Sequence, residues 1–336
     1  MKDDASYTVL LFHSVDDRDR LSLKNLGNIR PDVFEKICGL LKLEFDVISL
    51  RELVDLVSDG GERGKRFLSV TFDDGPKSYA SVAAPVMAAR GIPSTCFLIT
   101  DYIGDGAIYW RYLYNYCIHA LRGKELAGLI SAEYGAPLKE EEVISFTRRH
   151  YGRDKNKRIM EGIARSIVSE EEYRAREKDL FLSSGDIEVL KKDPLVAFGI
   201  HTRTHPVMSG LSGAEIADEL SGSMAFYRDR IEDGVPMFSV PFGRMYKDYD
   251  ERTVFSALDF SIDVILSAYG GRNESGQPAY NIRRVPVNAA LLGNGVEQFV
   301  RSLRDIKVAA EYLDAEKRLA EAVKRRKSAK DTARIQ

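Results

Sequence analysis

Short apolar runs alternate with amphipathic stretches through most of the chain. Thr8–Phe12 (TVLLF) is apolar throughout and too short for a helix, so it predicts a buried strand. Over Pro31–Phe45 the apolar positions become Val33, Ile37, Leu40 and Leu41, which is helical spacing. Asp46–Leu50 is a second β-like run, and a helix is predicted from Arg51 to Ser58. Phe67–Phe72 (FLSVTF) predicts a third strand and Ser78–Arg90 a third helix, with Gly91 placed to cap it. Thr95–Ile99 predicts a fourth strand. The alternation resumes with a helix at Ile187–Lys192, a strand at Val196–Ile200 and a helix at Ala214–Ile231. Ser212 and Glu215 stand at capping-box spacing before that last helix. Met237–Val240, Ile262–Leu266 and Ile282–Val287 read as further strands.

Alternating β and α units predict a largely parallel sheet, and seven or eight strands favour its closure into a barrel. Residues 105–180 break the rhythm, being rich in helix formers and charge, and predict a helical insertion or lid. Residues 303–330 carry one long amphipathic helix pattern with a basic end. The expected division is therefore 1–104 and 181–302 for the barrel, 105–180 for the insertion, and 303–336 for the C-terminal helix and basic tail. No fixed-period repeat is present.

Composition narrows the function classes. Of 336 residues, 44% are apolar and 30% charged, as in a globular protein. The 49 basic and 51 acidic side chains leave a net charge of −2, without the basic excess of a nucleic-acid binder. No apolar run approaches the roughly 20 residues that span a bilayer. Cys38, Cys96 and Cys117 form no CxxC pair, so neither a disulfide framework nor a Cys-rich zinc site is expected. They read as small core residues. Met1-Lys2-Asp3-Asp4 leads straight into a strand-like run, without a basic segment followed by an apolar one, which predicts a cytoplasmic protein.

Two motifs carry chemistry. His201-Thr202-Arg203-Thr204-His205 follows the strand Val196–Ile200, and imidazoles four apart on one side of a helical turn can share a metal ion. Thr71-Phe72-Asp73-Asp74-Gly75 closes the strand Phe67–Phe72, at the end of a parallel barrel where active sites lie. On an extended segment the two carboxylates diverge. Each motif alone has a plain structural reading: solvated histidines after a strand, or an aspartate capping a helix from Lys77. Together, Asp74, His201 and His205 make the two nitrogens and one oxygen of a catalytic zinc site with an open position. Asp73 is left as a general base.

These motifs resemble those of the polysaccharide deacetylases with a NodB homology domain, carbohydrate esterase family 4. Thr71–Gly75 matches the first motif, His201–Pro206 (HTRTHP) the second, and Phe238–Gly243 (FSVPFG) the third in its aromatic-Gly variant. The likeness spans roughly residues 8–100 and 183–290. It implies an α/β fold, a distorted (β/α)7-type barrel, and a metal-dependent removal of an N-acetyl or related acyl group from a carbohydrate. It implies Asp73 as base, Asp74, His201 and His205 as metal ligands, and the Phe242 N–H as an oxyanion donor. Zinc is the first choice of ion. The arginine that opens the third motif in many members is absent; Ser239 and Phe238 stand there. Arg284 is the substitute chosen here, with Arg283 the alternative.

The C-terminal Leu-x-His motif of the family is also absent. Leu11-Phe12-His13 ends the first strand instead, as in circularly permuted relatives such as the poly-N-acetylglucosamine deacetylases. His13 is thus expected to protonate the leaving nitrogen, helped by Asp16, Asp17 or Asp263. His119 and His150 read as surface or packing residues.

The run Tyr109–Tyr116, five aromatics in eight positions, suits a helix core better than a sugar platform. Arg148, Arg149, Arg153, Lys155, Lys157 and Arg158 form a solvated face or a lid that meets phosphate. A nucleotide- or lipid-linked sugar is the matching substrate. Lys324-Arg325-Arg326-Lys327 suits a frayed terminus or dimer strut, with contact to an anionic membrane surface as the other reading. Two other functions compete: hydrolysis of another small or cyclic amide, and a metal-free scaffold. Metal content separates the second from the enzyme.

Overall fold

A computed structural model describes all residues except 1–4, 60–63, 105–106, 153, 233 and 336. Its strands are β1 (Ser6–Phe12), β2 (Asp46–Val47), β3 (Arg66–Phe72), β4 (Ser94–Leu98), β5 (Val196–Ile200), β6 (Phe238–Ser239), β7 (Ile265–Leu266) and β8 (Val285–Pro286). They form one sheet in the order β7-β6-β5-β4-β3-β1-β8, with every pairing parallel and β2 beside the start of β3. The sheet closes on itself. Ile282 N–H donates to Ile265 O and Ser267 N–H to Ile282 O, each at 2.9 Å. Three residues on, the same segment pairs with β1, and Val287 N–H donates to Leu11 O at 2.8 Å. The expected barrel is thus present, with residues 282–287 as its seam.

β6 to β8 are shorter than the apolar runs predict. Pro241 and Pro286 have no N–H to give a ladder. Ile262 N–H is taken by Ala257 O at the end of the helix Glu251–Asp259. The helix expected over Ser78–Arg90 contains a π-helical turn, Tyr79–Ala83, directly before Pro85, which cannot donate to a preceding carbonyl. Gly91 ends the segment with φ +60°, as its position predicts.

Strand alternation sorts the side chains into two sets. Leu10, Phe12, Leu68, Val70, Phe72 and Ile200 pack in the large core beneath the surrounding helices. Tyr7, Val9, Phe67, Phe97, Met237 and Ile282 form a second cluster inside the barrel. Gly199 shares that interior: a Cβ there would overlap the Phe97 ring. Continuing the inward parity to the strand ends gives Leu11 to His13, Thr71 to Asp73, Gly199 to His201, Met237 to Ser239 and Ile282 to Arg284. The barrel mouth is polar because the next inward position on five segments is polar.

Between β4 and β5 run the helices Trp110–Cys117, Gly123–Tyr134, Val143–His150, Asp154–Ile167 and Glu170–Arg176. They surround their own core, in which Trp110, Tyr114, Leu126, Ile130 and Met160 are buried. The aromatic run is therefore mainly packing, as expected. His150 stacks on Phe146 with centroids 4.1 Å apart. All three cysteines are buried and free.

The last helix begins at Ala310, not at residue 303. The chain before it is a strap: Ile306 O accepts from Arg272 N–H, and Val308 lies against Gly271. The helix buries Leu319 and Val323 in the large core. At its basic end Arg326 pairs with Asp259 at 2.5 Å and covers the Phe255 ring, and Lys330 reaches the same carboxylate at 2.6 Å, while Lys324, Arg325 and Lys327 are exposed. Among the described residues, no helix is long and apolar enough to cross a membrane.

Candidate active site

β3 delivers the two carboxylates, but not along an extended segment. Asp73 N–H donates to Phe12 O at 2.9 Å, continuing the ladder. Asp74 and Gly75 then turn sharply, with φ of +72° and +69°. The carboxylates part because the backbone turns between them. Asp73 meets Arg284 in a two-pronged pair, Oδ1 to Nη1 at 2.7 Å and Oδ2 to Nη2 at 2.8 Å. Ser239 Oγ donates to Asp73 Oδ2 at 3.1 Å and accepts from Arg284 Nη2 at 2.7 Å. Arg284 Nε donates to Ser267 O at 2.9 Å, so the guanidinium is fixed at both ends. Burial works to raise the Asp73 carboxyl, but the charges of Arg284, His201 and His13 outweigh it and hold its pKa at about 2. Arg283 faces the other way and pairs with Glu316 of the last helix at 2.5 Å.

His201–Pro206 is a loop rather than a helical turn. Thr202 and His205 both have positive φ, +64° and +59°. Glu219 of the helix Gly213–Arg230 holds it from below. Its carboxylate accepts from Arg203 N–H at 2.9 Å, Thr204 N–H at 2.8 Å and Thr204 Oγ1 at 2.6 Å. Thr202 Oγ1 accepts from His205 N–H, and Thr202 O from Thr100 N–H. These bonds bring the two imidazoles to a centroid spacing of 4.8 Å, which helical geometry does not supply here.

Asp74 Oδ1 lies 3.6 Å from His201 Nε2 and 3.7 Å from His205 Nε2. Candidate ligand atoms of the three residues all lie within 4.8 Å of one another. Asp74 Oδ1 is buried without a hydrogen-bond partner. The far ring nitrogens are occupied: His201 Nδ1 lies 2.7 Å from Ser239 O, and His205 Nδ1 lies 2.8 Å from Tyr109 Oη. With Nδ1 protonated, both Nε2 lone pairs and the orphaned carboxylate oxygen converge with no donor between them. A divalent cation fits such a set, and the outer hydrogen bonds orient its ligands. Burial, with the charges of His201, Arg111 and His13, holds the His205 pKa well below its ordinary value, so the ring is neutral.

His13 stands at the same mouth, with its Nδ1 against Gly27, whose φ is +82°. The carboxylates whose charge reaches it are Asp74 and Asp73, not those expected from sequence. Asp16 is taken by Arg18 and Arg20, while Asp17 and Asp263 are exposed. Burial outweighs the attraction and lowers the His13 pKa. Phe242 has φ +60°, and its ring lies 4.6 Å from that of His205. Among the described residues its N–H has no protein acceptor. Two guanidinium groups cover the ring, Arg148 at 4.0 Å and Arg111 at 5.3 Å. Arg148 also pairs with Asp248, so it is not part of a solvated face. Arg153 lies outside the described residues.

The sequence profile of the family described as polysaccharide deacetylase matches residues 60–262. The chain belongs to the polysaccharide deacetylase family. Membership supports hydrolysis of an acetyl group from a carbohydrate. No curated protein matches the chain. Solved structures of similar fold include the deacetylase PplD of Streptococcus pyogenes, determined with acetate, at a TM-score of 0.59 and 14% identity, covering 89% of this chain and 99% of that one. IcaB of Ammonifex degensii is similar at a TM-score of 0.59 and 15% identity, covering 89% of this chain and 98% of its own. A de-N-acetylase of Aggregatibacter actinomycetemcomitans gives 0.58 and 12%, covering 88% of this chain and 99% of its own.

The sequence does not mark Tyr109, Arg111, Glu219, or Ser239 as a partner of Asp73. Ser239 was findable, because it sits on the inward parity of β6. Tyr109 and Arg111 lie in a segment with no motif, and nothing in the sequence distinguishes Glu219 from an exposed helical glutamate.

Proposed function

We propose that the chain is a divalent-metal-dependent carbohydrate N-deacetylase, with zinc the first-choice ion, held by Asp74, His201 and His205. The observation that carries this reading is the buried, partnerless Asp74 Oδ1 facing two imidazole nitrogens, beside a second carboxylate kept ionised by Arg284. The ion, when bound, polarises the acyl carbonyl and acidifies a water. Asp73 takes the proton of the attacking water. Arg284 and Ser239 fix the orientation of that carboxylate. The Phe242 N–H donates to the oxyanion as it forms. His13, neutral before turnover, takes up the proton that Asp73 removes from the water and passes it to the departing amine nitrogen, so that the C–N bond breaks. The helices of residues 105–180 act as a lid over the mouth, and the barrel is the unit formed by 1–104 and 181–302.

Elemental analysis of protein purified without chelator tests the ligand set. About one equivalent of zinc or a similar ion is expected, lost in His205→Ala, together with release of acetate from an N-acetylated chitooligosaccharide. Full metal occupancy in His205→Ala overturns the assignment. Protein that neither holds nor binds zinc returns the chain to the scaffold reading.

A further inference from the structure

Arg111, in the first turn of the helix Trp110–Cys117, is a half-buried cation that the mechanism above does not use. Its guanidinium hangs over the Phe242 ring at the mouth. Its charge reaches His13 and His205, where it opposes protonation. Among the described residues it has no ion-pair partner, and its Nε is buried without a hydrogen bond. The acids nearby are already committed. Asp73 is closed on Arg284 and Ser239. Asp74 faces the imidazoles. Asp248 is shared by Arg148 and Arg244, the latter through Nε at 2.9 Å. Of the two arginines on Phe242, only Arg111 therefore keeps an open fork of donors. A buried N–H left without an acceptor is costly unless something arrives to pair with it. Its planar donor set matches the two oxygens of a phosphate or carboxylate.

We propose that Arg111 is an anion-recognition residue of this site, and that the glycan deacetylated here carries an oxyanion, phosphate or carboxylate, close to its acyl amide. This rests on the deacetylase reading above. It relocates anion recognition from the basic cluster 148–158 to Arg111, the guanidinium over Phe242 that has no carboxylate of its own among the described residues.

The test compares three N-acetyl sugars of similar size with the zinc-loaded protein. They are the neutral methyl glycoside of N-acetylglucosamine, N-acetylglucosamine 1-phosphate, and N-acetylmuramic acid, which bears a carboxylate. Wild-type protein is expected to favour one anionic sugar by about tenfold or more in kcat/KM. That preference ratio should fall by about tenfold in Arg111→Gln and recover in part in Arg111→Lys, which keeps the charge but not the fork. A thermal melt of each variant checks folding, and the ratio is taken within one protein, so partial misfolding cancels. The favoured sugar tells phosphate from carboxylate. Equal use of all three, or a preference that Arg111→Gln leaves intact, overturns the inference while the deacetylase reading stands. Failure to deacetylate these sugars and a neutral chitooligosaccharide, with zinc bound, removes both.

Discussion

Asp73 and Arg284 form a buried charge pair in the barrel interior. Replacing Asp73 by Asn keeps the shape and removes the charge, leaving a fully buried guanidinium unpaired. Breaking a buried pair from one side costs about 3–5 kcal/mol. Asp73→Asn is therefore expected to abolish acetate release and lower the melting temperature, while zinc stoichiometry by elemental analysis stays at the wild-type value. Acid should act in two stages on chelator-treated protein. His205 and His13 titrate below their ordinary value of 6.5, so the folded state binds fewer protons than the unfolded one. Their contribution is complete above pH 6.5 and is lost as pH falls below it. Asp73, depressed from 3.8 to about 2, adds stability that disappears between those two values. Melting temperature against pH should decline below 6.5 and decline again below about 4; a flat profile from pH 7 to 4 contradicts the neutral-histidine picture.

At the scale of elements, the strands were legible and the turns were not. The short apolar runs Phe67–Phe72 and Val196–Ile200, read as strands of one parallel sheet, locate both motifs at one end of it. Strand alternation decides between the two candidate arginines: counting inward from Ile282 selects Arg284 and sends Arg283 outward to Glu316. The geometry of the histidine loop could not be read. Spacing of four suggests a helical turn, whereas positive φ at Thr202 and His205 and the three bonds to Glu219 build a loop from residues far apart in sequence. Nor does the sequence mark Tyr109 as a partner of His205, because the contact joins two elements whose packing is set by apolar neighbours. Glu219 offers the check. Glu219→Ala removes the acceptor of two backbone N–H groups and one hydroxyl. It should weaken zinc binding by about 10–100-fold, as loss of an outer support does, with the far-ultraviolet circular dichroism of the helix Gly213–Arg230 retained. Unchanged zinc affinity in a competition titration would show that the loop holds its shape without Glu219.

Across the whole molecule, the C-terminal helix packs against the outside of the barrel, on the helix Glu251–Asp259. It buries apolar surface through Tyr312, Leu319 and Val323 and supplies Glu316 to Arg283, the residue next to the one that holds Asp73. Ending the chain before Ala310 exposes those side chains and leaves Arg283, itself largely buried, without its carboxylate. Such a truncation is expected to melt at least several degrees lower and to lose catalytic rate more than zinc. A truncated protein with the melting temperature of the full chain would make the helix an appendage.

The seam of the barrel has a temporal consequence. Residues 282–287 close the sheet through a few backbone bonds, and the same six residues carry Arg284 to Asp73. Whenever the seam opens, Asp73 loses its cation, and burial then drives it to take up a proton. Amide exchange at Ser267, Ile282 and Val287 therefore times how often Asp73 is parted from Arg284. If Asp73 is the base proposed above and that frequency approaches the turnover number, the rate is governed by the closing of the sheet, and cross-linking β7 to the seam is expected to raise it.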